Sequence, residues 1–253
     1  MFQLKEKVVV VSGGLGDIGQ KISNVFAEAG SHVVVGDLPE VLEKQFENKF
    51  PEDSFTSCPI DILSEESIMR ATEDIEKKFG KIDVLVNSAG ILCRKTFFDT
   101  SKTDFQRSFD VNVTGMFLLS KHCSRLMIKE PIGKIINIGS INGVAAIENR
   151  LVYGATKAAV NLLTQGMALE LAKHNINVNC VAPGVVDSKM ARVRLNTPEI
   201  RSSFAEFIPQ KKLTTPKDVA NCVLFLASSL ANNITGETIL VDGGLAVRQA
   251  LPR

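Results

Sequence analysis

The sequence predicts a doubly wound α/β domain in which a seven-stranded parallel sheet is flanked by helices. Three observations predict it. Short β-branched runs alternate with helical stretches, the order expected of βαβ units. Runs such as Val8-Val9-Val10-Val11 are apolar at every position, as strands are when helices cover both faces of a sheet. At 253 residues, with 45% hydrophobic and 23% charged side chains, the chain can bury one large core. A single domain over residues 1–253 is the economical reading.

Taken in order, the predicted strands are 7–12, 32–36, 55–59, 82–87, 134–139, 175–181 and 238–241. The helical stretches between them include 18–29, 65–79, 105–128, 152–173 and 216–227. No internal repeat, low-complexity run or interdomain linker interrupts the pattern. Residues 188–214 are polar and weakly periodic after a strand, which predicts a lid over a substrate site.

Composition narrows the partners. Lys+Arg 29 against Asp+Glu 28 leaves a net charge of +1, so there is no basic field for nucleic acid and no acidic tail. No apolar stretch approaches a membrane span, and the N-terminal residues show no secretory pattern. The five cysteines (Cys58, Cys93, Cys123, Cys180, Cys222) are scattered without a CxxC pair. The three histidines (His32, His122, His174) stand apart from Cys or Glu at ligand spacing. The expectations are reduced thiols, a cytoplasmic protein, no metal, no membrane, and a small-molecule partner.

The first strand ends in Ser12-Gly13-Gly14-Leu15-Gly16-Asp17-Ile18-Gly19, and a helix follows. Gly14-x-Gly16-x-x-Gly19 satisfies the dinucleotide fingerprint of a Rossmann-type domain. Its glycines permit a tight turn and close approach to a pyrophosphate, which the helix N-terminus then faces with free N–H groups. The second strand ends at Asp37, followed by Leu38. A carboxylate there can accept hydrogen bonds from the adenosine ribose and repel a 2′-phosphate, so the cofactor read is NAD rather than NADP. The plainer reading makes Asp37 a turn residue or helix cap.

With these motifs in view, the chain resembles the short-chain dehydrogenase/reductase family over nearly its whole length. Ser12-Gly13 through Gly19 resembles the opening TGxxxGxG of that family, Asn87-Ser88-Ala89-Gly90 its NNAG, and Asp242-Gly243-Gly244 its closing segment. The resemblance implies that Asp61 and Ile62 lie against the adenine, that Asn87, Ala89 and Gly90 line the cofactor site, and that Pro183, Gly184, Val186 and Ser188 hold the nicotinamide carboxamide. It also implies a catalytic tetrad of Asn112, Ser140, Tyr153 and Lys157. In the family's register the middle glycine falls on position 17, where this chain has Asp17; Gly16 would then supply the flexibility. Asp17 could cap the helix, or place a carboxylate close to the pyrophosphate.

Tyr153 and Lys157 are four apart on a predicted helix, hence on one face. A free phenol is a poor base near neutral pH, and a neighbouring ammonium favours its ionised form. Tyr153 is the chain's only tyrosine and there is no tryptophan, which makes a packing role a weak explanation. By resemblance, Lys157 also holds the nicotinamide ribose, Ser140 fixes the substrate oxygen with Asn142 nearby, and Asn112 holds a water linking Lys157 to solvent.

The reaction class implied is hydride transfer between nicotinamide and a secondary alcohol or ketone. Two arginines bear on the substrate: Arg150, three positions before Tyr153, and Arg194, in the lid segment. Their neighbourhoods are similar to dehydrogenases of 2-hydroxypropyl-coenzyme M, where arginines hold a sulfonate, and guanidinium suits bidentate capture of sulfonate or carboxylate. The alternative leaves both as surface arginines. A second function stays open, that of a 3-oxoacyl-[acyl-carrier-protein] reductase type of ketoreductase. A non-catalytic regulator would be signalled by loss of Tyr153 or Lys157, and both are present. Helices 105–128 and 152–173 resemble those through which the family assembles, implying a homotetramer.

Overall fold

Val8–Ser12 forms β1, buried at all five positions, and the pleat sends its side chains alternately into two cores. Val9 and Val11 join Val33 and Val35 of β2 (His32–Asp37). They pack beneath α1 (Asp17–Glu28), α2 (Pro39–Lys49) and α9 (Pro216–Ala227) through Ile22, Phe26, Leu42 and Val223. Val8, Val10 and Val34 face the other way. There they meet Ile68 and Ile75 of α3 (Glu65–Phe79), Leu119 and Met127 of α5 (Met116–Met127), and Ala168 of α6 (Leu151–Leu171).

The computed structural model describes residues 2–50, 53–192 and 194–248. Its sheet has seven strands in the order β3-β2-β1-β4-β5-β6-β7, with β3 (Phe55–Pro59), β4 (Val84–Asn87), β5 (Gly133–Ile138), β6 (Ile176–Pro183) and β7 (Thr238–Val241). Every neighbouring pair is parallel. β1 pairs with both β2 and β4, so the strand order reverses there. Crossovers to left and right leave a crevice above the strand C-termini, where ligands of such sheets bind.

Three elements depart from the sequence expectation. The helix read over 105–128 is three pieces: α4 (Lys102–Phe109), a π-helical turn at Asp110–Gly115, and α5. A capping box formed by Ser101 and Asp104 sets its true start. Second, α2 went unread although Pro39 opens it and Leu42 and Phe46 are buried one turn apart. Third, segment 188–214 carries α7 (Lys189–Arg192) and α8 (Pro198–Phe207). Its order has clear causes: Thr197 caps α8, Leu195 and Ile208 are buried, and Arg201 grips Asp187 with two bonds of 3.0 and 2.8 Å.

Candidate active site

Two adjoining hollows occupy the crevice. The larger, about 560 Å³, runs along the β1–α1 turn and is lined by Gly13, Gly16, Asp17, Ile18, Gly19, Asp37, Leu38, Asp61, Ile62, Ala89 and Gly90. The smaller, about 150 Å³, is lined by Ser140, Arg150, Tyr153, Lys157, Pro183, Gly184, Val186 and Arg194. Ile18, Ser88, Gly90, Ile91 and Ser188 border both. A cofactor in the first can therefore present one end to a substrate in the second.

The turn is built to approach a dinucleotide closely. Gly13 has φ +63°, and a Cβ there would lie 2.7 Å from the Ala89 Cα. A Cβ on Gly19 would lie 2.2 Å from the Gly13 carbonyl oxygen. These two positions demand glycine. Gly16 does not: its φ is −69° and an added Cβ would meet a single atom, at 3.3 Å. Its expected role as the flexible substitute for position 17 falls to Gly13. The larger hollow, with side-chain-free glycines facing the first residues of α1 and an acid at the far end, fits the dinucleotide implied by the fingerprint.

Asp37 accepts from the Leu38 N–H at 2.9 Å and from Leu15 N–H, at the tip of the turn, at 3.0 Å. It is thus both a local turn residue and part of the cleft wall. Asp61 accepts from Leu63 N–H at 2.9 Å. Lys49, unnoticed in the sequence, reaches from the end of α2 to the Leu15 carbonyl at 2.6 Å. Burial and the nearby Lys189 lower its pKa, while Asp17 and Asp37 oppose that shift. Asp17 does not cap its own helix, whose N-cap is Gly16; its carboxylate accepts the Lys189 N–H across the cleft mouth.

Tyr153 lies in the first turn of α6. The Lys157 ammonium, one turn on, is 5.7 Å from the Tyr153 ring centre and donates to the Ile138 carbonyl at 2.7 Å. Ser140 follows β5, and its Oγ accepts from Asn142 N–H at 3.2 Å. That leaves the Ser140 proton free to be donated into the cavity. The glycine at 90 keeps space open beside these groups, since a Cβ there would lie 3.8 Å from Lys157 Nζ and 3.1 Å from Asn112 Oδ1.

Two expected site residues are placed otherwise, and a third is held by its neighbours. Asn87 is buried below the cleft, donating to Ser120 Oγ and Asn137 Oδ1 at 2.9 Å each. It joins β4, β5 and α5 because its strand register points it inward. Asn142 is also buried and its side chain borders neither hollow; both of its side-chain polar atoms lack a partner. Asn112, in the π turn, donates to the Ile91 carbonyl at 2.9 Å and to Thr156 Oγ1 at 3.0 Å, and accepts from Ile91 N–H at 2.8 Å. Both amide protons are used, so the side chain ties the β4 loop to α6, and only acceptor oxygens of Asn112 remain to hold a relay water.

The smaller hollow is strongly cationic. Arg94, absent from the sequence reading, joins Arg150 and Arg194 in lining it. Burial, then repulsion from Arg94 and Arg194, lowers the Arg150 pKa. Arg194 stacks on Phe204 at 4.5 Å. Among the described residues, none of the three has a carboxylate partner. Arg201, by contrast, is neutralised by Asp187. Only proximity in space distinguishes these cases; nothing in the local sequence does.

Comparison with known proteins agrees with this architecture. Residues 14–246 match a family model described as enoyl-(acyl carrier protein) reductase. The chain is 38% identical to the 3-oxoacyl-[acyl-carrier-protein] reductase FabG of Aquifex aeolicus, over 96% of this chain and 98% of that one. It is 32% identical to the NAD-dependent glycerol dehydrogenase of Listeria innocua, over 98% and 96%. The solved structure of ElxO with NADP bound superposes with a TM-score of 0.90 at 32% identity, covering 96% of this chain and 100% of that one. The shared fold, the matched span and the Ser140–Tyr153–Lys157 geometry lead to one statement: the chain belongs to the short-chain dehydrogenase/reductase family.

Proposed function

We propose that this protein is an NAD(H)-dependent oxidoreductase acting on a small secondary alcohol or ketone that bears a sulfonate or carboxylate. The observation that carries the proposal is one cavity holding Ser140, Tyr153 and Lys157 together with three guanidiniums, Arg94, Arg150 and Arg194, that have no carboxylate partner among the described residues. Arg150 is partly buried and feels the like charges of exposed Arg94 and Arg194 at the cavity rim, and an anionic substrate supplies a counter-ion.

The nicotinamide, when bound, supplies or accepts the hydride. Tyr153 takes the carbinol proton at Oη on oxidation and returns it on reduction. Lys157 places positive charge beside the ring where phenolate charge develops, held in position by Ile138. Ser140 donates to the substrate oxygen. The arginines bind the far end of the substrate, which fixes the carbinol carbon relative to the cofactor. Asp37 supports NAD, because a 2′-phosphate would meet its carboxylate; the name of the Listeria innocua relative agrees, whereas ElxO binds NADP.

The 38% identity to FabG favours a second reading, a ketoreductase acting on a carrier-bound 3-oxoacyl chain. In that case exposed Arg94 at the cavity rim would meet an acidic carrier. The test is a panel of neutral alcohols, anionic alcohols and 3-oxoacyl thioesters with NAD(H) and NADP(H). Equal kcat/KM for neutral and anionic alcohols of one size overturns the anionic reading, and preference for the thioester selects the second.

We further propose a cytoplasmic homotetramer. Supporting it, Phe117 of α5 and Leu162 and Leu169 of α6 are exposed large apolar side chains on the helices expected to assemble. The five cysteines are all free, and no helix among the described residues is long and apolar enough to cross a membrane.

A further inference from the structure

Asp17 stands where the fingerprint brings the pyrophosphate, at the first residue of α1, yet its carboxylate serves neither that helix nor the turn. It accepts the backbone N–H of Lys189, the first residue of α7, near the start of the segment that covers the substrate cavity. That segment supplies Ala191, Arg194, Leu195 and Phe204 to the cavity wall. Its far end is tied back to the chain just before it, through Arg201 on Asp187 and through Thr214, whose N–H donates to Val185 and whose carbonyl accepts from Asp187 N–H. Its near end has the Asp17 contact as its side-chain tie to the cofactor turn.

The charges around this tie are mixed. Lys49 and Lys189 line the same cleft as Asp17 and Asp37. Lys49 interacts with all three of the others. The α1 N-terminus and the two ammonium groups both offset the Asp17 charge while the cleft is free.

We infer that Asp17 is a positioning residue that links the two halves of the site: it holds the lid's first turn over the substrate cavity at the expense of dinucleotide affinity. Asp17 and a pyrophosphate at the same helix end repel, so cofactor affinity and lid order respond to Asp17 with opposite signs. The inference rests on the larger hollow being the dinucleotide site, and it goes beyond that reading by assigning the carboxylate a role against the cofactor and toward the lid. A residue that merely supported the fold would, when removed, weaken both together.

The experiment compares wild type, Asp17→Asn and Asp17→Ala. Binding of NADH and NADPH is followed by fluorescence at low and high salt, and hydrogen exchange of residues 188–196 is measured in the cofactor-free protein. In Asp17→Asn, which keeps an acceptor and loses the charge, the preferred cofactor should bind at least about threefold more tightly at low salt, the gain shrinking as salt screens the charge. In Asp17→Ala the same gain should come with roughly tenfold faster exchange at Lys189, because the N–H acceptor is gone. Substrate KM should rise in Asp17→Ala more than in Asp17→Asn. Unchanged or weaker cofactor binding in Asp17→Asn, or unchanged exchange at Lys189 in Asp17→Ala, overturns the inference while leaving the dinucleotide site intact. Failure of wild type to bind either cofactor overturns the site assignment and this inference with it.

Discussion

The Lys157 ammonium lies 5.7 Å from the centre of the Tyr153 ring while donating to the Ile138 carbonyl at 2.7 Å. One lysine is thus fixed by the end of β5 and aimed along the face of α6 that carries the tyrosine. The charge beside the phenol is placed by the backbone of a buried strand and does not depend on a mobile partner.

Removing the phenolic hydroxyl therefore separates chemistry from binding. Tyr153→Phe should lower kcat by at least about a hundredfold, the usual worth of a positioned acid/base, and leave cofactor affinity nearly unchanged. Lys157→Met should reduce both. Single-turnover rates and cofactor titration on the two variants check this, and near-normal turnover in Tyr153→Phe would discard the mechanism.

Cofactor preference tests Asp37 by itself. Wild type should favour NAD over NADP in kcat/KM, and Asp37→Ala should narrow the ratio by relieving repulsion of the 2′-phosphate. The same substitution frees the Leu15 N–H, so some loss with NAD is expected as well. A wild-type enzyme that prefers NADP would refute the role given to this acid.

For the substrate, Arg150→Ala should cost about tenfold to a hundredfold in kcat/KM for an anionic alcohol, from a charge-assisted contact of about 1.5–3 kcal/mol. Arg194→Ala should cost less, because Arg194 is exposed and stacked on Phe204, and Arg94→Ala less again. Neutral alcohols should be indifferent to all three. An anionic-to-neutral ratio that does not move would return these arginines to the surface.

Stability should carry the mark of a buried lysine far from the site. Lys134 is buried at the start of β5 and, among the described residues, bonds only to neutral acceptors on Asn177, Ala231 and Asn232. Burial pushes its pKa down to about 8. A lysine whose folded pKa is depressed favours the fold when neutral, so its contribution is full above the unfolded value near 10.5 and is lost as pH falls toward about 8. Urea midpoints of wild type and Lys134→Met at pH 8 and pH 10 should converge or cross in favour of wild type at the higher pH. A difference independent of pH would mean that Lys134 keeps its proton throughout.

Much of this protein was determined by sequence alone. The all-apolar run at Val8–Val11 requires cover on both faces of a sheet, and the structure gives it two cores. The four-residue spacing of Tyr153 and Lys157 fixes them on one side of α6 whatever the tertiary packing. Gly13 and Gly19 are required by a positive φ and by a close backbone approach, both local to one turn. These features follow from period and backbone sterics, which act over a few residues. Tertiary structure decided the rest. Asp17 meets Lys189 across 172 positions, Arg94 joins Arg150 and Arg194 only because the loops after β4, β5 and β6 open on the same crevice, and Asn87 turns inward through strand register. The π turn at 110–115 is fixed by Asn112 bonding to Ile91 and Thr156, partners that no pattern within the helix names. Where separate loops meet is set by the packing of the sheet beneath them, and that packing has no period to read.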